Sequence, residues 1–209
     1  MVNTLVIADE VAADLTAETL RDLAPELVLS AGDLPWDYVE WIADTVRCPT
    51  LFVAGNHDPD GPGPCPGGVT DAEGRIVEAA GLRVAGLGGC VKYRAGPHQH
   101  TQREYAGRAR KLLWKARFSG PLDVLLTHAP PFGLGDADDP PHVGIDALHK
   151  VIARTEPTWH FHGHIHPFGR PMPDRVVGRT TIRNVIPWRV VEITPRGADN
   201  TADLAARLA

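Results

Sequence analysis

Three short apolar runs, residues 4–8, 27–29 and 50–54, alternate with two segments of helical periodicity. This alternation is the strongest constraint on the fold, because successive strands joined by helices form parallel sheets through crossover connections. Residues 16–23 read as the first helix, with Thr16 as its N-cap. Residues 36–46 read as the second, with Trp36, Val39, Ile42, Ala43 and Val46 recurring at helical spacing.

The remainder continues as short elements and tight connections, in keeping with 21 glycines and 19 prolines. Residues 59–68 are loop by composition. Residues 75–78 and 82–87 read as short strands, and 91–100 as a loop. A basic helix is predicted over 101–117, with Tyr105, Ala109, Leu112, Leu113 and Ala116 as its apolar stripe. Residues 122–127 and 159–162 read as strands and 143–154 as a helix. Thr180–Val185 and Arg189–Ile193 are expected to pair as a final antiparallel hairpin around Pro187, and 199–209 to form a short helix or a frayed end. There is no internal repeat or linker, so 1–209 reads as one domain.

Composition narrows the class. An apolar share of 43% with 22% charged residues excludes wholesale disorder. No apolar run approaches a membrane span of about 18 residues. The start, MVNTLVIADE, has no basic region and meets Asp9, so no signal peptide is expected. The net charge of −5 argues against bulk nucleic-acid binding. Cys48, Cys65 and Cys90 form no CxxC pair, and their odd number fits plain thiols in a reducing cytoplasm.

The apolar runs also end on ligand-type side chains: Asp9, Asp33, Asn56 with His57, His128, and the pair His164 and His166. Seven of the ten histidines lie between His128 and His166. Sites in parallel α/β sheets form at the carboxyl ends of strands, so these tips are expected to converge. Asp9 alone could be a Walker-B acid, but the chain has no GxxxxGK[ST]. Gly55-Asn56-His57-Asp58 and Gly163-His164-Ile165-His166 are the specific blocks. In each, a glycine permits a sharp turn and the following side chains can face one site.

In this order the blocks resemble those of the calcineurin-like metallophosphoesterase superfamily, which read D-x-H, G-D, G-N-H-[DE], a strand-end H and G-H-x-H. The resemblance spans residues 4–185. Leu125–Gly133, the helix at 143–154 and the stretch from Pro157 to His164 are further similar to the small class III cyclic-nucleotide-phosphodiesterase-like branch. The resemblance implies a four-layer α/β/β/α sandwich, two mixed β-sheets flanked by helices. It implies a metal site of Asp9, Asp33 and His166 and a second of Asp33, Asn56, His128 and His164, with Asp33 bridging. It implies that His57 sits over the phosphate as proton donor or charge stabiliser and that Asp58 orients it. Two divalent cations so held share a hydroxide that attacks phosphorus in line. Oxygen and nitrogen ligands without thiolate suit manganese first, then iron or zinc.

One block departs from the pattern. Where the family has histidine two residues after the first aspartate, this chain has Val11. The first site is therefore expected to be weakly occupied, unless His98 or His100 reaches in. Tyr93, Arg94, His98, His100 and His142, in loops near the blocks, are the candidate substrate contacts. The basic helix reads as a solvated face rather than a nucleic-acid groove. The resulting expectation is a phosphodiesterase of small nucleotides, cyclic ones among them, with no membrane partner and an open oligomeric state. A phosphomonoesterase or protein phosphatase, or a non-catalytic metal-binding scaffold, are the alternatives.

Overall fold

The computed structural model describes residues 1–59 and 66–196. Cys65 and the expected tail helix lie outside them. The first half forms β1 (Val2–Ile7), α1 (Ala17–Leu23), β2 (Leu27–Ser30), α2 (Trp36–Val46), β3 (Thr50–Phe52) and β4 (Thr70–Asp71). The second half forms β5 (Ile76–Ala79), β6 (Leu82–Leu87), β7 (Cys90–Val91), β8 (Gln99–His100), α3 (Gln102–Ser119), β9 (Val124–Thr127), a 3₁₀ turn (Pro140–His142), α4 (Asp146–Thr155), β10 (Trp159–His162), β11 (Arg175–Val177), β12 (Thr180–Asn184) and β13 (Trp188–Ile193).

Local chemistry sets the helix ends. Thr16 caps α1 by accepting from the Thr19 amide, and Ala24 closes it in the left-handed conformation. Thr101 and Glu104 form a reciprocal capping box at the start of α3.

The strands build two large mixed sheets. The five-stranded sheet has the order β13-β1-β2-β3-β4 and is parallel except for β13. The six-stranded sheet has the order β11-β12-β10-β9-β6-β5, with antiparallel edges at β11 and β5. Alternation within each strand sorts side chains to the two faces. Val6, Leu29 and Val53 meet Val84, Leu126 and Phe161 between the sheets. Leu5, Ile7 and Val28 pack outward against Leu20, Val39 and Ile42 of α1 and α2. Ala85, Leu125 and Ile182 pack outward against Tyr105, Leu112, Leu148 and Val151 of α3 and α4. The result is the four-layer α/β/β/α arrangement.

Two expectations are corrected. Residues 180–184 and 188–193 do not form a hairpin: β12 pairs with β10 and β11, whereas β13 runs antiparallel to β1 in the other sheet. The intervening turn carries the chain from one sheet to the other, and Pro187 accepts from the Ala8 amide at 3.1 Å, at the tip of β1. The stretch 91–100 is not wholly loop, because β7 and β8 pair in parallel.

Candidate metal centre

The carboxyl ends of β1, β2 and β3 from one sheet meet those of β9 and β10 from the other. Asp9, Asp33 and Asn56 therefore face His128, His164 and His166 across the junction. Asp33, His128 and His164 each offer a donor atom, all within 4.8 Å of one another. The backbone is strained where it aims these groups: Asp9, Asp33 and His164 all have positive φ, at 63°, 56° and 67°.

Two carboxylates tie the loops together. The buried Asp9 carboxylate accepts from the His164 amide at 3.1 and 2.9 Å. A Cβ on Gly163 would stand 2.0 Å from Asp9 Oδ2, so only glycine allows this approach. Asp33 Oδ1 accepts from the His57 amide at 2.7 Å, and its Oδ2 lies 3.3 Å from His128 Nε2. A Cβ on Gly55 would meet Asp33 Oδ1 at 2.1 Å. Asp58 places Oδ2 on the amides of Gly55 and Asp33, at 2.7 and 3.0 Å, and so braces the loop that carries His57.

The histidines are oriented for ligation. His128 Nδ1 donates to Ala31 O, His164 Nε2 to Pro141 O, and His166 Nδ1 to Glu10 Oε1, each at 2.8 Å. An oxygen acceptor fixes the proton on that nitrogen, which leaves the other as the lone-pair donor of a neutral imidazole. His128 Nε2 faces Asp33 Oδ2 and Asn56 Oδ1, the latter at 3.1 Å. His166 Nε2 lies 3.8 Å from Asp9 Oδ1. Such a donor set of carboxylate, amide oxygen and imidazole fits divalent cations.

Electrostatics agree with this fit. Burial disfavours charge on His128, but Asp33, by charge and hydrogen bond, and Asp9 outweigh it and raise the imidazole to about 9. Burial likewise works against Asp33, yet His128 and the His57 amide bring its carboxyl down to about 2. Without a cation, a proton on His128 Nε2 balances the carboxylates, and a metal would replace that proton. Asp9 is raised to about 6 by burial, which the charge of His128 and the His164 amide offset only in part. Burial and the neighbouring His128 take His164 down to about 3.

The other candidates spread around the rim. His57 is exposed beside a cleft of about 510 Å³ walled by Leu34, Pro35, Trp36 and Pro59. The Tyr93 hydroxyl lies 3.5 Å from Asn56 Nδ2, and Arg94 stacks over the Tyr93 ring. His142, paired with Asp139, sets its ring 5.4 Å from that of His164. His98 turns its Nε2 onto Pro59 O at 2.9 Å, and His100 lies edge-on to Tyr105. His160, by contrast, is fully buried away from the rim and donates from Nε2 to Thr127 Oγ1, whose own proton goes to Ala129 O. A larger cavity, about 590 Å³, opens at the amino ends of β9 and β10, away from all these residues.

Sequence reasoning missed Glu10 and Asn184. Glu10 stands in the block that lacks a histidine, a carboxylate that could have been weighed as a partner for His166. Asn184 holds the His164–His166 turn through Ile165 O at 2.8 Å, and nothing in the sequence marks it.

Two facing sheets gather carboxylates and imidazoles at shared strand tips, which defines a candidate metal-binding α/β sandwich. The chain belongs to the calcineurin-like phosphoesterase family, which it matches over residues 5–168. Members of that family hydrolyse phosphoesters with a dinuclear divalent metal centre. No curated protein matches the chain. Among solved structures, one superposes with a TM-score of 0.63 at 14% identity, over 87% of this chain and 89% of the other. The structure of TT1561 from Thermus thermophilus superposes with a TM-score of 0.60 at 16% identity, over 87% of each chain. These likenesses establish the fold. Among the described residues, no helix is long and apolar enough to cross a membrane.

Proposed function

We propose that the protein is a phosphodiesterase of small nucleotide diesters, cyclic ones among them. The observation that carries the reading is the cluster of Asp33, His128 and His164 in a family whose chemistry is phosphoester hydrolysis. Asp33, Asn56, His128 and His164 would hold one cation. Asp9, Asp33 and His166 would hold the other. The bound ions would supply Lewis acidity and an activated water. Manganese is the first choice for this thiolate-free donor set, ahead of iron and zinc.

The side chains around the ions do the rest. His57 stands at the cleft mouth and gives its proton to the leaving oxygen, while the Asp58 brace fixes the loop beneath it. Tyr93, Arg94 and His142 line the entry and bind the phosphate and its substituents, with His98 and His100 on the adjoining loop. The first site lacks a histidine at Val11, which is 57% exposed. Glu10 compensates by holding His166 with Nε2 towards Asp9. The branch resemblance supports small diesters, and cysteines that form no CxxC pair support a cytoplasmic setting.

Turnover of aryl phosphate diesters and monoesters in manganese buffer tests the reading. Preference for the diester is expected. Preference for the monoester favours a phosphomonoesterase or protein phosphatase, and turnover of neither favours a scaffold.

A further inference from the structure

The two outer helical layers carry opposite charge in matching patterns. On α2, Asp37, Trp41 and Asp44 are exposed at i, i+4 and i+7, an acid–aromatic–acid stripe. On α3, Arg110, Trp114 and Arg117 are exposed at the same spacing, a base–aromatic–base stripe. Residues so spaced share one helix face. Trp114 is 66% exposed and Trp41 38%. Phe118, itself 72% exposed, lies edge-on to Trp114 with ring centroids 5.6 Å apart and widens the apolar patch. Among the described residues, Asp37, Asp44, Arg110 and Arg117 form no ion pair. Large exposed aromatics flanked by unpaired charge mark an interaction surface.

The stripes cannot meet within one chain, because α2 covers the outer face of the five-stranded sheet and α3 that of the six-stranded sheet. We propose that the α3 stripe docks on the α2 stripe of a second copy of this chain. Trp114 then packs against Trp41, and Arg110 and Arg117 pair with Asp44 and Asp37. The aromatic centre keeps water from the flanking pairs, as at other interfaces built around tryptophan and arginine. A second copy fits better than nucleic acid because a net charge of −5 repels a polyanion, whereas α2 supplies acids at the matching intervals. Each copy presents its two stripes on opposite faces, so one partner cannot satisfy both. The contact is head-to-tail and continues past a dimer. It rests on two helices, a small area, and is therefore weak and salt-sensitive.

Sedimentation of the full chain over micromolar to submillimolar concentrations, in low salt and at about 0.5 M salt, tests this. The mean mass should rise reversibly with concentration, pass that of a dimer, and fall to the monomer at high salt. The double reversal Arg110→Glu with Arg117→Glu should abolish the rise, as should Asp37→Lys with Asp44→Lys, while an equimolar mixture of the two variants should associate again. Thermal melts check that each variant is folded, and Trp114→Ala, which changes no charge, should weaken association at least about tenfold. A wild type that stays monomeric, a plateau at a dimer, or association that survives either reversal overturns the proposal. Loss of a nucleic-acid complex on reversal of α3, with no effect from reversal of α2, does so as well.

Discussion

The His164 amide donates to both carboxylate oxygens of Asp9, at 3.1 and 2.9 Å, across 155 residues of sequence. This contact joins the tips of β1 and β10, which belong to different sheets, so one buried side chain both closes the sandwich and aims two candidate ligands. Gly163→Ala tests the coupling, because its Cβ would fall 2.0 Å from Asp9 Oδ2. The variant should lose about 1–3 kcal/mol of stability in the metal-free state and bind less metal. Thermal melts and elemental analysis measure both; a wild-type melt would show that the approach is not needed.

His128 makes the metal-free protein sensitive to alkali. Its pKa is raised from 6.5 to about 9, chiefly by Asp33 acting against burial. The protonated form is thus bound more tightly by the folded state. The stabilisation is complete below about 6.5 and is lost as pH rises through about 9. Asp33, lowered to about 2, and Asp9, raised to about 6, titrate below this window. The melting temperature of chelator-treated protein should fall between pH 6.5 and 9. Metal should flatten the trend, because it takes the proton's place.

His57 is exposed, and its structural contact with Asp33 runs through the backbone amide rather than the ring. His57→Ala should therefore lower kcat by roughly 10²–10⁴-fold while the melting temperature and metal content hold. Unchanged turnover would remove the ring from the reaction.

Glu10 is expected to support the site that lacks a histidine. Its carboxylate accepts from His166 Nδ1 at 2.8 Å. Partners of this kind typically change metal affinity about 10–100-fold. Calorimetric titration of Glu10→Ala with manganese should show that loss at one of two sites, and Val11→His should tighten the same site. Equal affinities in all three proteins would show that Glu10 plays no part.

The strand tips were legible because two signals coincide there. An apolar run that stops on a ligand-type residue identifies both a buried strand and its carboxyl end, as at Ile7 before Asp9 and Thr127 before His128. The membership of β13 was not legible. Periodicity says that Trp188–Ile193 is a strand, but the choice between a neighbouring hairpin and a β1 edge depends on packing between distant segments. Glu10 and His98 show the same limit at the site. His98 lies in a loop near the blocks, yet its ring turns onto Pro59, whereas Glu10 meets a histidine 156 residues away.

The metal centre is tested most directly by anomalous scattering from crystals grown with manganese. A strong peak is expected among Asp33, Asn56, His128 and His164, with a weaker peak beside Asp9, Asp33 and His166. The absence of any peak in this cluster, or manganese bound only elsewhere, would contradict that assignment.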